Sequence, residues 1–314
     1  MPDQPGSTAQ ADVVNKGESM KASQPMNGNL LGILGGIIIS TDSIFIRMMQ
    51  IENSWTIIAL RGFFMWGACL LVWLLWRSSR SVLGVPWINK SNLLPAVLFC
   101  LSSACFINAL NRGNVATVLV IIASTPFISA LILRIFFHTR VERSVMLAAL
   151  AGMAGVVIVM SGKEVNDNML ANVFALATAV TMALAFIFTS KVAGGSVGLP
   201  SLGGLLASLV VLLFAGGEVW QEASHLTTEQ YGWVITEGIL IMPLAMGLIA
   251  LSTRYVSAAN AGLFLLLETA LAPLWIALFL NEMPSPQAVT GGVIIIAAVV
   301  AQSLYARQRA KKTA

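Results

Sequence analysis

Ten long apolar segments, separated by short polar loops, make up most of this 314-residue chain. Each is about 20 residues long, the length of an α-helix that crosses a hydrocarbon core of about 30 Å. The segments are residues 30–49, 55–76, 92–110, 115–137, 144–161, 170–190, 200–217, 231–252, 258–280 and 287–306. Because most linkers are short, consecutive helices must be antiparallel neighbours. The pattern therefore predicts an all-α integral membrane protein with ten transmembrane helices.

The composition excludes an ordinary soluble domain. Hydrophobic residues make up 57% of the chain and charged residues 10%, whereas soluble domains carry about 25% charged residues. The net charge of +4 does not indicate nucleic-acid binding, because the basic residues do not cluster on one face among aromatic residues. Cys69, Cys100 and Cys105 all fall in apolar segments and are predicted to be packing residues. The expected surroundings are membrane lipid.

Both ends of the chain are polar. Residues 1–28 are rich in Gln, Ser, Asn and Gly and lack the contiguous apolar region of a signal peptide. We expect them to form a disordered cytoplasmic tail. Residues 307–314 are predicted to be a short basic tail on the same side of the membrane.

The distribution of Lys and Arg over the loops predicts the orientation. With the N-terminus in the cytoplasm, 14 of the 18 basic residues lie on the cytoplasmic side. The outer side then holds Arg47, Arg112 and Lys163, while Arg61 lies within a span. Cytoplasmic loops of membrane proteins carry an excess of Lys and Arg. An even number of spans places both termini in the cytoplasm, and we expect the protein in a bacterial inner membrane.

An internal repeat divides the ten spans into two sets of five. An offset of 143 residues carries spans 1 and 4 onto spans 6 and 9, and it aligns Asn29 with Asn172. Because five is an odd number, the halves 29–162 and 168–306 must be inverted relative to each other. Inverted repeats are common in secondary transporters, where the substrate site lies between the halves near the membrane midplane.

Five short stretches of the sequence form a family pattern. They are residues 60–63 (Leu-Arg-Gly-Phe), 111–126, 255–261, 267–269 (Leu-Glu-Thr) and 279–282 (Phe-Leu-Asn-Glu). With these stretches the chain resembles the EamA type of the drug/metabolite transporter superfamily, over residues 29–306. The resemblance implies a ten-helix transporter, and it leaves the substrate open because members carry amino acids, drugs, sugars and other metabolites.

Four ionisable residues lie at membrane depth: Asp42, Arg61, Glu237 and Glu268. Such groups are costly in a bilayer and usually functional. The rise of about 1.5 Å per residue places the first three in the outer half and Glu268 near the midplane. Asp42 and Glu268 would then meet a cation, an ammonium group or a coupling proton, and Arg61 a carboxylate. The alternatives are a purely structural Asp42–Arg61 ion pair and a Glu237 that reaches outer water.

Six further side chains complete the candidate binding site: Thr41, Ser43, Ser124, Thr125, Asn108 and Trp275. The two beside Asp42 could complete a hydrogen-bonding shell around a ligand. Ser124 and Thr125 precede a proline at a predicted kink, where backbone carbonyls are freed. The asparagine could instead be interfacial, and the tryptophan could offer a cation–π contact or face lipid.

No catalytic motif accompanies these residues. The two histidines, His138 and His225, are predicted on opposite sides of the membrane, and no metal-binding or nucleophile motif is present. The sequence also lacks a P-loop, so ATP does not drive the protein directly. We therefore expect no cofactor, no bound metal and no enzyme activity, with an intramembrane enzyme as the remote alternative.

The sequence as a whole predicts a secondary active transporter of small polar metabolites, either amino-acid-like or organic-cation compounds. Export by alternating access is the first choice, because the resemblance most often implies it. Import or facilitated passage of a zwitterionic or cationic metabolite is the alternative. Protons are the candidate coupling ion, and the sequence is compatible with a monomer or a homodimer.

Overall fold

The computed structural model describes residues 27–113, 115–139, 142–161, 168–192, 195–280 and 286–313. Within these ranges the regular structure is entirely helical, without a strand. Several predicted features lie outside the described residues: the N-terminal tail as far as residue 26, Lys163, residues 281–282 of the family pattern, and the side chains of Ser43 and Arg47.

The helices follow the apolar segments in order. The first half contains α1 (Gly28–Ile39), α2 (Asp42–Met49), α3 (Ser54–Leu75), α4 (Arg80–Leu83), α5 (Leu93–Arg112), α6 (Val115–Ile122), α7 (Thr125–Ile135) and α8 (Arg143–Met160). The second half contains α9 (Met169–Thr189), α10 (Leu199–His225), α11 (Thr228–Thr236), a π-helical turn (Glu237–Ile241), α12 (Met242–Ser252), α13 (Ala258–Leu280) and α14 (Pro286–Thr313). The basic C-terminal residues therefore continue the last helix.

Several of these helices can cross a membrane. Among the described residues, seven helical segments are long and apolar enough to do so. Apolar segments within α7, α8 and α13 are shorter. In a bilayer every backbone polar group must be paired within the protein, and a helix achieves this along its own length. The chain is therefore a multi-pass helical membrane protein.

Polar side chains mark the points where helices begin. Asn53 precedes α3 and Asn168 precedes α9, and each side chain accepts a hydrogen bond from a backbone N–H of the first turn. Thr227 and Gln230 form a reciprocal capping box at the start of α11. These contacts satisfy N–H groups that have no partner inside the helix.

Four of the predicted spans are irregular, and in one of them, the seventh, Ala215 departs from helical geometry inside α10 (φ −131°, ψ 21°). In the first span, residues 40–41 form a turn between α1 and α2, within a single candidate membrane span at Gly28–Ile46. A second turn, at residues 123–124, separates α6 from α7 directly before Pro126, as the proline predicts. In the eighth segment the π-helical turn Glu237–Ile241 joins α11 to α12.

The two halves of the chain interlock. Helix α1 packs on α12, α3 on α10, α5 on α9, α7 on α13, and α8 on α14. The backbones of α3 and α10 come very close, since a Cβ atom placed on Gly62 would lie 2.2 Å from the carbonyl oxygen of Gly204. Small residues permit such an approach between membrane helices. Each helix pair named here therefore joins the first half to the second.

Candidate functional site

A central cavity lies between the two halves. It has a volume of about 910 Å³, counting the part that is open to solvent. Helices α3, α5, α6, α9, α10, α12 and α13 contribute to its wall, together with the turn between α1 and α2. Small-molecule sites commonly lie between the helices of a bundle, so this cavity is the candidate site.

Arg61 is the centre of a charged cluster on the cavity wall. Its Nη2 atom donates a hydrogen bond to Asp42 Oδ2 at 3.2 Å and contacts Met242 Sδ at 2.8 Å. Its Nε atom forms an ion pair with Glu237 Oε1 at 2.9 Å, although the geometry is not that of a hydrogen bond. Glu268 lies within electrostatic range of Arg61 and Asp42. One guanidinium therefore faces three carboxyl groups.

The cluster is buried and incompletely paired. The exposed fraction is 2% for Asp42, 6% for Arg61 and 0% for Glu237. Asp42 Oδ1, Arg61 Nη1 and both carboxyl oxygens of Glu237 have no hydrogen-bond partner while the carboxyl groups are ionised, and Asp42 and Glu237 are near enough to share a hydrogen bond when one of them carries a proton. Three ionised carboxylates and one guanidinium would carry a net charge of −2. Such a charge is costly at membrane depth, so two positive charges, supplied by protons or bound cations, are needed to balance it.

The two glutamates of the cluster differ in their access to the cavity. Glu268 projects from α13 onto the cavity wall and is partly accessible there, although it lies deep in the helix bundle. Glu237 lies behind Arg61 and is fully buried, so the alternative that it reaches outer water is wrong. It stands at the head of the π-helical turn, which inserts an extra residue and changes the direction of the side chains that follow.

Three of the four helix irregularities lie at the cavity, and the fourth, at Ala215 of α10, does not line it. Ile39 and Asp42 flank the turn between α1 and α2, and both line the wall. Ile122 and Ala123 stand at the turn between α6 and α7 and also line it. Met242, the first residue after the π-helical turn, also lines the cavity wall. Broken helices and π-turns frequently accompany binding sites in membrane proteins.

Besides Glu237, five of the predicted site residues lie away from the cavity wall. The hydroxyls of Thr41, Ser124 and Thr125 donate to backbone carbonyls of the preceding helical turn at 2.8, 2.6 and 2.6 Å. Asn108 is buried and donates to the carbonyl of Ala104 in its own helix at 2.9 Å. These side chains donate their hydrogen bonds to backbone carbonyls of the preceding turn, as short polar side chains commonly do. The three hydroxyls therefore have no donor left for a ligand in the cavity.

The fifth of these residues, Trp275, has a structural contact of its own. Its Nε1 atom donates a hydrogen bond to Ser40 Oγ at 2.7 Å, which links α13 to the turn between α1 and α2. The tryptophan therefore supports the position of that turn from outside the cavity wall.

Several wall residues had not been singled out from the sequence. Ser102 and Ser103 line the cavity from α5, and Thr178 from α9. The only sequence signal was a pair of hydroxyl residues inside an apolar segment. The apolar part of the wall gave none, because its side chains are ordinary packing residues of membrane helices: Met65, Met182, Met246, Phe99 and Phe106.

The fold and the site together define a class, a multi-pass helical membrane protein with a charged central cavity. The model of the EamA-like transporter family matches this chain twice, at residues 26–161 and 169–304. The two matches begin 143 residues apart and end 143 residues apart. They cover most of the sequence, and the protein belongs to the EamA-like transporter family, which confirms the resemblance to the drug/metabolite transporters.

Comparison with other proteins adds support for the fold. No curated protein matches the sequence. Several solved structures are similar, and one of them, a crystal structure, has a TM-score of 0.73 and 16% sequence identity. The similarity covers 89% of this chain and 98% of the other chain. At this level of identity the similarity shows a shared fold alone.

Proposed function

We propose that this protein is a secondary active transporter of small polar metabolites, amino-acid-like or organic-cation compounds, in a bacterial inner membrane. The observation that carries the proposal is that Asp42, Arg61 and Glu268 meet on the wall of one cavity. Membership in a transporter family supports movement of a solute. In this proposal all ten apolar segments cross the membrane as a 5+5 inverted repeat, with both termini in the cytoplasm.

The charge of the cluster supports coupling to protons. Asp42, Glu237 and Glu268 share a single guanidinium, so protons or a cationic substrate must compensate the remaining negative charge. Desolvation penalises an uncompensated charge. Protons and substrate then occupy the site alternately as it faces the two sides of the membrane. We place export first, with outer protons entering as the substrate leaves.

Proteoliposomes with an imposed pH gradient test this function. We expect labelled amino acids or organic cations to accumulate in response to the gradient. Asp42→Asn and Glu268→Gln should each abolish accumulation while the protein remains folded. The matched control is Glu218→Gln, which makes the same change at an exposed position of α10 and should transport normally.

Two results would contradict the proposal. Accumulation at the wild-type level in both cavity variants would exclude the carboxylates as coupling groups. Equilibration of the solute without response to the gradient would indicate a facilitator. Size-exclusion chromatography and thermal unfolding of each variant separate loss of transport from loss of fold.

A further inference from the structure

The cavity wall carries more acidic than basic side chains, and this excess favours cationic ligands over anionic ones. Among the described residues that line the cavity, Arg61 is the only basic one, and Asp42 and Glu268 are acidic. Arg61 is already paired with Asp42 and with Glu237 behind it. A ligand carboxylate would therefore meet no cation with charge to spare, whereas a ligand ammonium would meet two carboxylates.

Polar atoms without partners border the same space. Ser102 lines the cavity, is 1% exposed, and its Oγ atom has no hydrogen bond. Asp42 Oδ1 is also unpaired and buried. Buried polar atoms in proteins are normally paired. A protonated primary amine brings three N–H donors and no acceptor, which complements oxygen atoms that lack a donor.

Glu237 offers Arg61 a second partner when a ligand occupies Asp42. Both carboxyl oxygens of Glu237 and the Nη1 atom of Arg61 lack hydrogen bonds. The Nε atom is already 2.9 Å from this carboxyl group. A small rotation of the guanidinium towards Glu237 would therefore release Asp42 while keeping the arginine paired. A cationic ligand can therefore take the place of Arg61 beside Asp42, while Arg61 stays paired with Glu237.

The rest of the wall is apolar and adaptable. Methionine side chains are flexible and fill irregular spaces, and the faces of phenylalanine rings attract cations. Such a wall accepts an apolar body attached to a charged group, and it offers few partners to a sugar or another polyol. The residues that provide it are Met65, Met182, Met246, Phe99 and Phe106.

We propose that the ligand of this cavity is an organic cation, an amine with an apolar body, and that the cavity discriminates against the zwitterion with the same body. The inference rests on the proposed transport function and narrows its substrate class. The ammonium binds between Asp42 and Glu268 with Ser102 as a further acceptor, and the apolar body lies against the methionine and phenylalanine side chains.

Three probes with one phenyl body and different charges test the proposal. Binding of 2-phenylethylamine, phenylalanine and 3-phenylpropionate to the full chain in lipid nanodiscs would be measured by titration calorimetry. We expect the amine to bind and phenylalanine to bind at least about tenfold more weakly, because its carboxylate meets like charges. Phenylpropionate should show no saturable binding. Equal or tighter binding of phenylalanine, or no saturable binding of the amine, would overturn the proposal.

Variants of cavity residues test whether the preference for the amine arises in this cavity. Glu268→Gln should weaken amine binding about tenfold, since it removes a charged hydrogen-bond partner, and Glu218→Gln should leave it unchanged. If Glu268→Gln fails to fold, Ser102→Ala replaces it, with an expected loss of a few-fold. Wild-type amine affinity in the folded cavity variant would overturn the assignment.

Transport measured separately distinguishes this inference from the function on which it rests. An amine that binds but is never accumulated in proteoliposomes would overturn the transport proposal and leave the cation preference intact. Accumulation of phenylalanine with exclusion of the amine would support transport and overturn the preference.

Discussion

Replacing Arg61 by methionine tests whether the charged cluster is held together by its single cation. The substitution keeps a long apolar stem and removes the guanidinium, leaving Asp42 and Glu237 buried without their partner. Removing one partner of a buried ion pair costs about 3–5 kcal/mol, because the other charge stays buried. With about 2–4 °C per kcal/mol for a large domain, we expect the unfolding midpoint to fall by about 10 °C.

The free cysteines of the chain provide the assay. Cys69 is buried in α3, and Cys100 and Cys105 are partly buried in α5, so a thiol-reactive dye reports the opening of these helices on heating. Arg254→Met, at an exposed position, is the control and should unfold like the wild type.

A double variant distinguishes two causes of destabilisation: a buried carboxylate left without its cation, and the loss of side-chain packing. Arg61→Met combined with Glu237→Gln removes the buried guanidinium and the most deeply buried carboxylate together. We expect it to unfold several degrees above the single variant, because one uncompensated charge is gone. A single variant within about 2 °C of the wild type, or a double variant no more stable than the single one, would refute the reasoning.

Two further predictions concern backbone geometry. Gly62→Ala should lower the unfolding midpoint because the new methyl group would meet the carbonyl of the facing helix, whereas Gly67→Ala, with open space around it, should stabilise the protein by up to about 1 kcal/mol. Equal midpoints for the two alanine variants would contradict the close contact. Deleting Leu240, which is 52% exposed, should convert the π-helical turn into α-helix and turn the preceding carboxyl group away from the guanidinium. The folded deletion variant should lose gradient-driven accumulation in proteoliposomes, and normal accumulation would show that the turn is dispensable.

The helices could be predicted from the sequence because the bilayer imposes one solution on a long apolar run. The break before Pro126 was also predictable, since proline carries a local signal that ends a helix. The break at residues 40–41 has no such signal. The hydroxyls of Ser40 and Thr41 donate to carbonyls of the preceding turn, as such side chains also do inside helices, and Trp275 adds a tertiary hydrogen bond to Ser40.

Only those residues of the candidate site that are rare in membrane helices could be predicted from the sequence. Asp42, Arg61 and Glu268 stood out because charges at membrane depth are expensive. The alternative that Glu237 reaches outer water was wrong, because counting residues along a helix gives the depth of a side chain but not the direction in which it points. Ser102 was missed because serine is common in membrane helices, and only the rotation of α5 places its hydroxyl at the cavity.

The packing of helices from one half against helices from the other determines which parts of the molecule can move as rigid bodies. Helix α3 lies backbone to backbone on α10, and α8 packs along α14, so these units each combine one helix from either half. Tightly packed helices shift together as rigid bundles during domain motions. In the proposed alternating-access cycle, the bundles that tilt against each other would therefore combine helices from both halves. The protein would then not open along the boundary between the two family matches in the sequence.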